Sequence, residues 1–350
     1  MSDAGALDLA AVDRFMQRAV AGYEGPLSAE KFSGGQSNPT FLLTTPSRRF
    51  VLRRKPAGTL LKSAHAVERE FRVQKALADT DVPVPEMLAL CEDEDVIGSV
   101  FFVMSHVEGR NFDDPRMPGL DPDARGLIVA EMARVLGAIH RVNIQDVGLG
   151  DFGRPGNYFA RQVNRWSKQY AASETEPLTD MDALITWLKA NVPADDGRAC
   201  LVHGDYRIDN LLFVPDGSTC AAVLDWELST IGHPLADLAA VLMQWRLPTG
   251  DRGRGLAGVD RGHLGLPSDD AFVDAYCASA GIGDVEGLPF ALAFAFFRMA
   301  AILQGVKRRG LEGNASNPAR AAELGTMVPV YAREGLQAAR EAEGSISLDR

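Results

Sequence analysis

The sequence predicts an α+β fold of two lobes, a small antiparallel sheet lobe with one helix and a larger, mostly helical lobe. Three observations predict it. Short apolar runs of strand character crowd the first hundred residues around a helical pattern, whereas helical spacing dominates the remainder of the chain. A chain of 350 residues with 46% hydrophobic content can also bury a core large enough for about two domains.

Helical spacing runs over residues 7–20, with Ser2 or Asp3 available as its cap. Residues 27–32, 40–44 and 49–54 read as strands, the first two flanking Ser33-Gly-Gly-Gln-Ser-Asn38. An amphipathic helix over 64–77 is closed by Val82-Pro-Val-Pro85, and strands at 87–90 and 99–104 complete the small sheet. At 105–109 the apolar strand gives way to polar residues and a glycine. The lobe boundary is placed there, giving an N-terminal lobe 1–105 and a C-terminal lobe 106–350. Residues 127–139 form an apolar helix, and 289–306 a nearly apolar one interrupted by Arg298 and Gln304. The length of the latter invites a membrane-spanning reading, but an Arg at its centre favours a buried helix of the larger lobe.

Composition narrows the classes. A net charge of −11 and a pI near 5.1 argue against a nucleic-acid backbone or an anionic membrane as partner. Cys91, Cys200, Cys220 and Cys277 form no Cys-x-x-Cys pair, and the first residues lack the basic start and apolar core of a secretory leader. A cytoplasmic location with reduced thiols is the expectation.

The chemistry is concentrated in Leu201-Val-His-Gly-Asp-Tyr-Arg-Ile-Asp-Asn-Leu-Leu-Phe213 and Val223-Leu-Asp-Trp-Glu227. A strand over 199–202 ends at His203. After the loop, 211–214 and 220–224 form a hairpin around Pro215-Asp-Gly217, which brings Asn210 and Asp225 together. Phosphoryl transfer needs three such groups. One carboxylate (Asp205) receives or orients the proton of the attacking hydroxyl, while an amide oxygen (Asn210) and a second carboxylate (Asp225) hold Mg²⁺ against the phosphates. Turn formation alone also favours Asp and Asn in loops. It does not account for the loop, the hairpin and the second Asp together.

His203-Gly-Asp-x-x-x-x-Asn210 with Asp225, followed by Ile231-Gly-His-Pro-Leu-Ala-Asp-Leu238, resembles the aminoglycoside phosphotransferase/choline kinase family. That family shares the protein-kinase-like fold, and the resemblance runs from about Phe32 to the helices near Val328. It implies ATP and Mg²⁺ as cofactors, a nucleotide-binding first lobe and a catalytic, substrate-binding second lobe. It also implies that Asp237 braces the catalytic loop without touching substrate.

The small lobe then supplies the nucleotide site. Ser33, Gly34, Gly35, Ser37 and Asn38 form a loop whose backbone N–H groups can approach phosphates, although the same residues make an ordinary hairpin turn. Phe50-Val-Leu-Arg53 aligns with the kinase Val-Ala-Ile-Lys strand, with Arg53 where Lys is usual and Lys55 as a reserve. Glu70 is the expected carboxylate partner on the single helix, with Glu68 close by. Val51 and the segment 102–107 would receive adenine. In the loop, Arg207 would face the transferred phosphoryl group, His203 would shape the loop by hydrogen bonding, and His140 reads as structural.

The acceptor is expected to be the hydroxyl of a small molecule. Between residues 245 and 312 acids and bases balance, so no trap for a polycation is evident. Phe50-Val-Leu-Arg-Arg-Lys-Pro56, Val82-Pro-Val-Pro85, Leu90-Cys-Glu-Asp93 and Val107-Glu-Gly-Arg110 resemble the kinase-like domain fused to some acyl-CoA dehydrogenases. That implies a hydroxyacyl-CoA or a related hydroxy metabolite. An aminoglycoside kinase, or a nucleotide-binding module that no longer transfers phosphate, are the alternatives. Arg298 reads either as a satisfied core charge or as an anchor for an acidic substrate group.

Overall fold

The computed structural model describes residues 7–32, 38–56, 66–250, 254–283, 285–314 and 317–348. The chain divides into two compact units. The first comprises Met1–Asn111, Gln145–Leu149 and Asn210–Ser229, and the second Phe112–Ile144, Gly150–Asp209 and Thr230–Arg350.

In the first unit, β1 (Ser28–Lys31), β2 (Thr40–Thr44), β3 (Arg49–Arg54), β4 (Met87–Cys91) and β5 (Phe101–Ser105) form one sheet in the order β1-β2-β3-β5-β4. Every neighbouring pair is antiparallel. Period-two alternation sorts the side chains of β3 onto two faces. Phe50 and Leu52 face helix α1 (Leu9–Ala19), where Val12, Met16 and Val20 close over Phe41, Leu43, Phe101 and Val103. Asp8 caps α1 by accepting from the Ala11 N–H at 2.9 Å. Val51, on the opposite face, packs with Val67 and Phe71 of α2 (Val67–Ala76) and with Phe102 and Met104. Each such buried side chain contributes about 1.5–3 kcal/mol, so the sheet is held from both sides.

The hairpin Leu211–Phe213/Cys220–Val223 belongs to this unit. It is stitched on by Arg110 and Phe213, whose backbones exchange hydrogen bonds of 2.8 and 2.9 Å. The approach requires a glycine beside it, since a Cβ on Gly109 would sit 2.8 Å from the Phe213 carbonyl oxygen.

In the second unit, nine helices are described: α3 (Pro122–Arg141), α4 (Tyr158–Ser173), α5 (Thr179–Ala190), α6 (Leu235–Trp245), α7 (Arg261–Leu264), α8 (Asp269–Ala280), α9 (Leu288–Leu311), α10 (Pro318–Gly325) and α11 (Val328–Leu348). Helix α9 is the hub, packed by α4, α5, α6, α10 and α11. Among the described residues it is the one helix long and apolar enough to cross a membrane, and 67% of that stretch is buried within the protein. Phe290, Phe294, Phe296 and Phe297 are buried along it, the pattern of a core helix that is apolar around most of its circumference. The strand expected before His203 forms as Cys200–Val202. Its partner, Thr230–Gly232, is a strand that the residue pattern did not predict. Three residues ending in Gly carry too little periodicity to announce it.

Candidate active site

The first unit assembles three acidic side chains around one cation. Arg53 leaves β3 with its side chain only 14% exposed. Its Nε lies 3.0 Å from Glu70 Oε2, and its Nη2 lies 2.5 Å from Asp225 Oδ1 and 3.9 Å from Glu227 Oε2. Glu70, in the first turn of α2, is buried and also accepts from the Trp226 N–H. Asn38, likewise buried, donates from Nδ2 to Glu227 Oε2 at 3.3 Å. Lys55 pairs with Glu68, 2.9 Å from Nζ to Oε2, and so has a carboxylate partner of its own.

Burial works against the Arg53 cation, but Glu70 and Asp225 outweigh it and hold its pKa above the ordinary value. Burial pushes Glu70 up to about 8 despite Arg53, with Asp225 and Glu227 adding to the rise. Even with Glu70 protonated below about pH 8, Asp225 and Glu227 outnumber the one guanidinium, a setting that suits an added cation.

Asn210 and Asp225 flank the same end of the hairpin, where the Asn210 carbonyl accepts from the Leu224 N–H at 2.8 Å. Asp225 has φ 64° and ψ 57°, a left-handed conformation that costs a residue with a side chain about 1–2 kcal/mol. Strain of this kind, held at a carboxylate that pairs with Arg53, marks a functional position. An amide oxygen and a carboxylate are the oxygen donors that Mg²⁺ takes when substrate phosphates complete its shell. The residues present therefore fit that ion.

Val51 lies on the α2 face of the sheet, opposite Met104 in the β3–β5 register. Ser33, Gly34, Gly35 and Ser37 lie outside the described residues.

The second unit holds the loop from His203 to Asp209. Asp237, near the start of α6 and fully buried, accepts from the His203 N–H at 2.6 Å and the Gly204 N–H at 2.8 Å. His140 Nε2 approaches the same carboxylate at 3.3 Å, while its Nδ1 meets the Tyr276 hydroxyl at 2.7 Å. Burial would raise the Asp237 pKa, but His140, His203 and the Gly204 N–H hold it below the usual carboxylate range. The brace therefore stays ionised.

Gly204 takes φ 84°, which a side chain would resist. The Asp205 N–H donates to His203 Nδ1 at 3.2 Å, and the Tyr206 hydroxyl donates to the Met132 carbonyl at 2.8 Å. Arg207 is engaged with two acids, Asp205 Oδ1 at 3.3 Å and Asp209 Oδ2 at 3.1 Å. Arg254 reaches the same Asp209 oxygen at 3.2 Å.

Three participants are not evident from sequence. Glu227 stands two residues after Asp225, and that spacing is its only signal. Asp209 reads as one more turn residue. Arg298 stands out in its apolar helix, but its link to the loop is not legible there.

A small antiparallel sheet unit with one helix and a mostly helical second unit are the parts of the protein-kinase-like fold. The chain belongs to the phosphotransferase enzyme family, APH, whose model matches residues 28–286. It is 44% identical over 335 residues to acyl-CoA dehydrogenase family member 10 of Mus musculus, covering 93% of this chain and 31% of that protein. To acyl-CoA dehydrogenase family member 11 of Gallus gallus it is 41% identical over 337 residues, covering 94% of this chain and 43% of that protein. The chain thus spans less than half the length of these curated relatives. Among solved structures, a putative aminoglycoside phosphotransferase from Ralstonia eutropha is 46% identical with a TM-score of 0.88, covering 96% of this chain and 99% of that one. The aminoglycoside phosphotransferase APH(4)-Ia, solved with AMP-PNP and hygromycin B, shares the fold at 16% identity and a TM-score of 0.62, covering 94% of this chain and 98% of that one.

Proposed function

We propose that this chain transfers the γ-phosphate of ATP to a hydroxyl of a small molecule, with a hydroxyacyl-CoA or a related hydroxy metabolite as acceptor. The observation that carries the reading is the tie from Arg53 to both Glu70 and Asp225, which joins the phosphate-binding cation to a metal carboxylate. Residues 1–105 supply the nucleotide site, with Val51 against adenine, and residues 106–350 supply catalysis and acceptor binding. Asn210 and Asp225 would hold Mg²⁺, which would offset the charge of the phosphates. Arg53 binds the non-transferred phosphates.

Asp205 orients the acceptor hydroxyl and takes its proton as the new O–P bond forms. The bond from the γ-phosphorus to the bridging oxygen breaks and ADP leaves. Arg207 offsets charge on the transferred group. The acyl-CoA dehydrogenase relatives support the acyl-CoA acceptor. The name of the Ralstonia relative favours a second reading, aminoglycoside phosphorylation.

An acceptor screen with Mg²⁺ and γ-labelled ATP tests this, with wild type beside Asp205→Ala. The panel is hydroxyacyl-CoA thioesters, aminoglycosides, choline and sugars. Asp205-dependent labelling of a thioester is the expected result. Labelling of aminoglycosides alone would replace the acceptor, and absence of Mg²⁺–ATP binding would remove the proposal altogether.

A further inference from the structure

Helix α9 contains one charged residue before Lys307, and that residue is Arg298. Its neighbours Phe296 and Phe297 are fully buried, whereas Arg298 itself is half-buried, so its guanidinium gives up part of its hydration. No ion pair among the described residues uses it. Its contacts are instead the Gly204 carbonyl, 3.1 Å from Nη2, and the Trp166 ring, whose centroid lies 5.9 Å from its guanidinium carbon.

The carbonyl it holds belongs to the peptide that leads into Asp205. The N–H of Gly204 is held by Asp237 Oδ1 at 2.8 Å, and the N–H of Asp205 by His203 Nδ1 at 3.2 Å. Without Arg298, the Gly204–Asp205 peptide would lose the only hydrogen bond that fixes its oxygen among those described. Gly204 sits at φ 84° with no side chain to limit its ψ, so that peptide plane is held by two bonds, His203 at its N–H end and Arg298 at its oxygen. Stacking on Trp166 fixes the guanidinium in turn.

We propose that Arg298 is a positioning residue for phosphoryl transfer. It clamps the Gly204 carbonyl and thereby sets the direction in which Asp205 presents its carboxylate. This rests on the function proposed above, with Asp205 as the proton acceptor. Misplacing a reacting group by about 1 Å costs up to about 100-fold in rate, so the effect belongs in turnover and not in nucleotide affinity.

The test compares wild type with Arg298→Met, Arg298→Lys and Asp205→Asn. It measures kcat and KM for ATP, with the acceptor found in the screen and with water as acceptor, beside melting temperature. Arg298→Met should stay folded, keep the KM for ATP within about twofold and lose about 10–100-fold in kcat. Arg298→Lys, which keeps a donor on a shorter stem, should recover part of that loss. A folded Arg298→Met with wild-type kcat, or a loss that appears in KM for ATP alone, would overturn the assignment while leaving the proposed function standing. Asp205→Asn transferring phosphate as fast as wild type would instead remove the reading beneath it.

Discussion

Arg53 reaches two carboxylates with two different nitrogens, Nε to Glu70 at 3.0 Å and Nη2 to Asp225 at 2.5 Å. A lysine has one nitrogen, and it cannot reproduce both contacts from the same backbone position. The guanidinium fork thus gives Arg53 two separate pairings where an ammonium offers a single nitrogen. Arg53→Lys should fold, give up one of the two pairings and weaken Mg²⁺–ATP binding by about tenfold, equivalent to about 1.4 kcal/mol. Titration calorimetry reads this directly, and unchanged affinity would show that one pairing suffices.

Glu70 links stability to pH. Its folded pKa is about 8 against an ordinary 4.5. Between those values the folded chain holds a proton that the unfolded chain has released. Its stabilising share is therefore complete below about 4.5 and is lost as pH rises through about 8. Melting temperatures from pH 5 to 9 should fall more steeply for wild type than for Glu70→Gln. Parallel curves would mean that Glu70 is ionised throughout.

The left-handed backbone at Asp225 separates strain from chemistry. Asp225→Gly and Asp225→Ala both remove the proposed metal carboxylate, so neither should transfer phosphate. Gly accepts φ 64° and Ala does not, so the Gly variant should be more stable by about 1–2 kcal/mol. Equal denaturation midpoints would place the cost elsewhere.

Asp237→Ala leaves the His203 and Gly204 N–H groups without their acceptor. At about 1–3 kcal/mol for each buried unsatisfied donor, the loss should be about 2–6 kcal/mol near neutral pH. The folded pKa of Asp237 is depressed, so its contribution is present above about 4 and fades as pH falls through the folded value. The gap between wild type and variant in urea melts should therefore narrow in acid. A gap independent of pH would argue that the carboxylate is not ionised.

Gly109→Ala places a methyl group against the Phe213 carbonyl, 2.8 Å away on the native backbone. Relief requires the hairpin to shift, at about 1–3 kcal/mol. Hydrogen exchange should show earlier opening at Arg110 and Phe213. Native protection there would mean that the strands move apart at little cost.

Much of this architecture is legible in residue order. Alternation in Phe50-Val-Leu-Arg53 places Arg53 and Val51 on one face, and His203, Asp205 and Asn210 stand out once the following hairpin and Asp225 are read with them. Glu70 can be chosen over Glu68 only through resemblance, because surface and buried glutamates look alike until the helix is docked. The Thr230–Gly232 strand, the Arg254–Asp209 pair and the Arg298 clamp depend on contacts between residues 28 to 94 positions apart. Local periodicity carries no information about such partners.

The hairpin at Asn210–Ser229 gives synthesis a timetable. The unit to which it belongs begins at Met1, yet it lacks its last strands until residue 229 has been made. At about 5–20 residues per second, that is roughly 6–24 seconds after residue 111 has been added. Through that interval the Arg110 backbone waits for Phe213, and Arg53 and Glu70 wait for Asp225. Nascent chains halted before residue 210 should be cut by protease within residues 40–105 more readily than chains halted well beyond 229. The N-terminal unit is thus completed late, by a segment of the chain that also carries the proposed metal ligands.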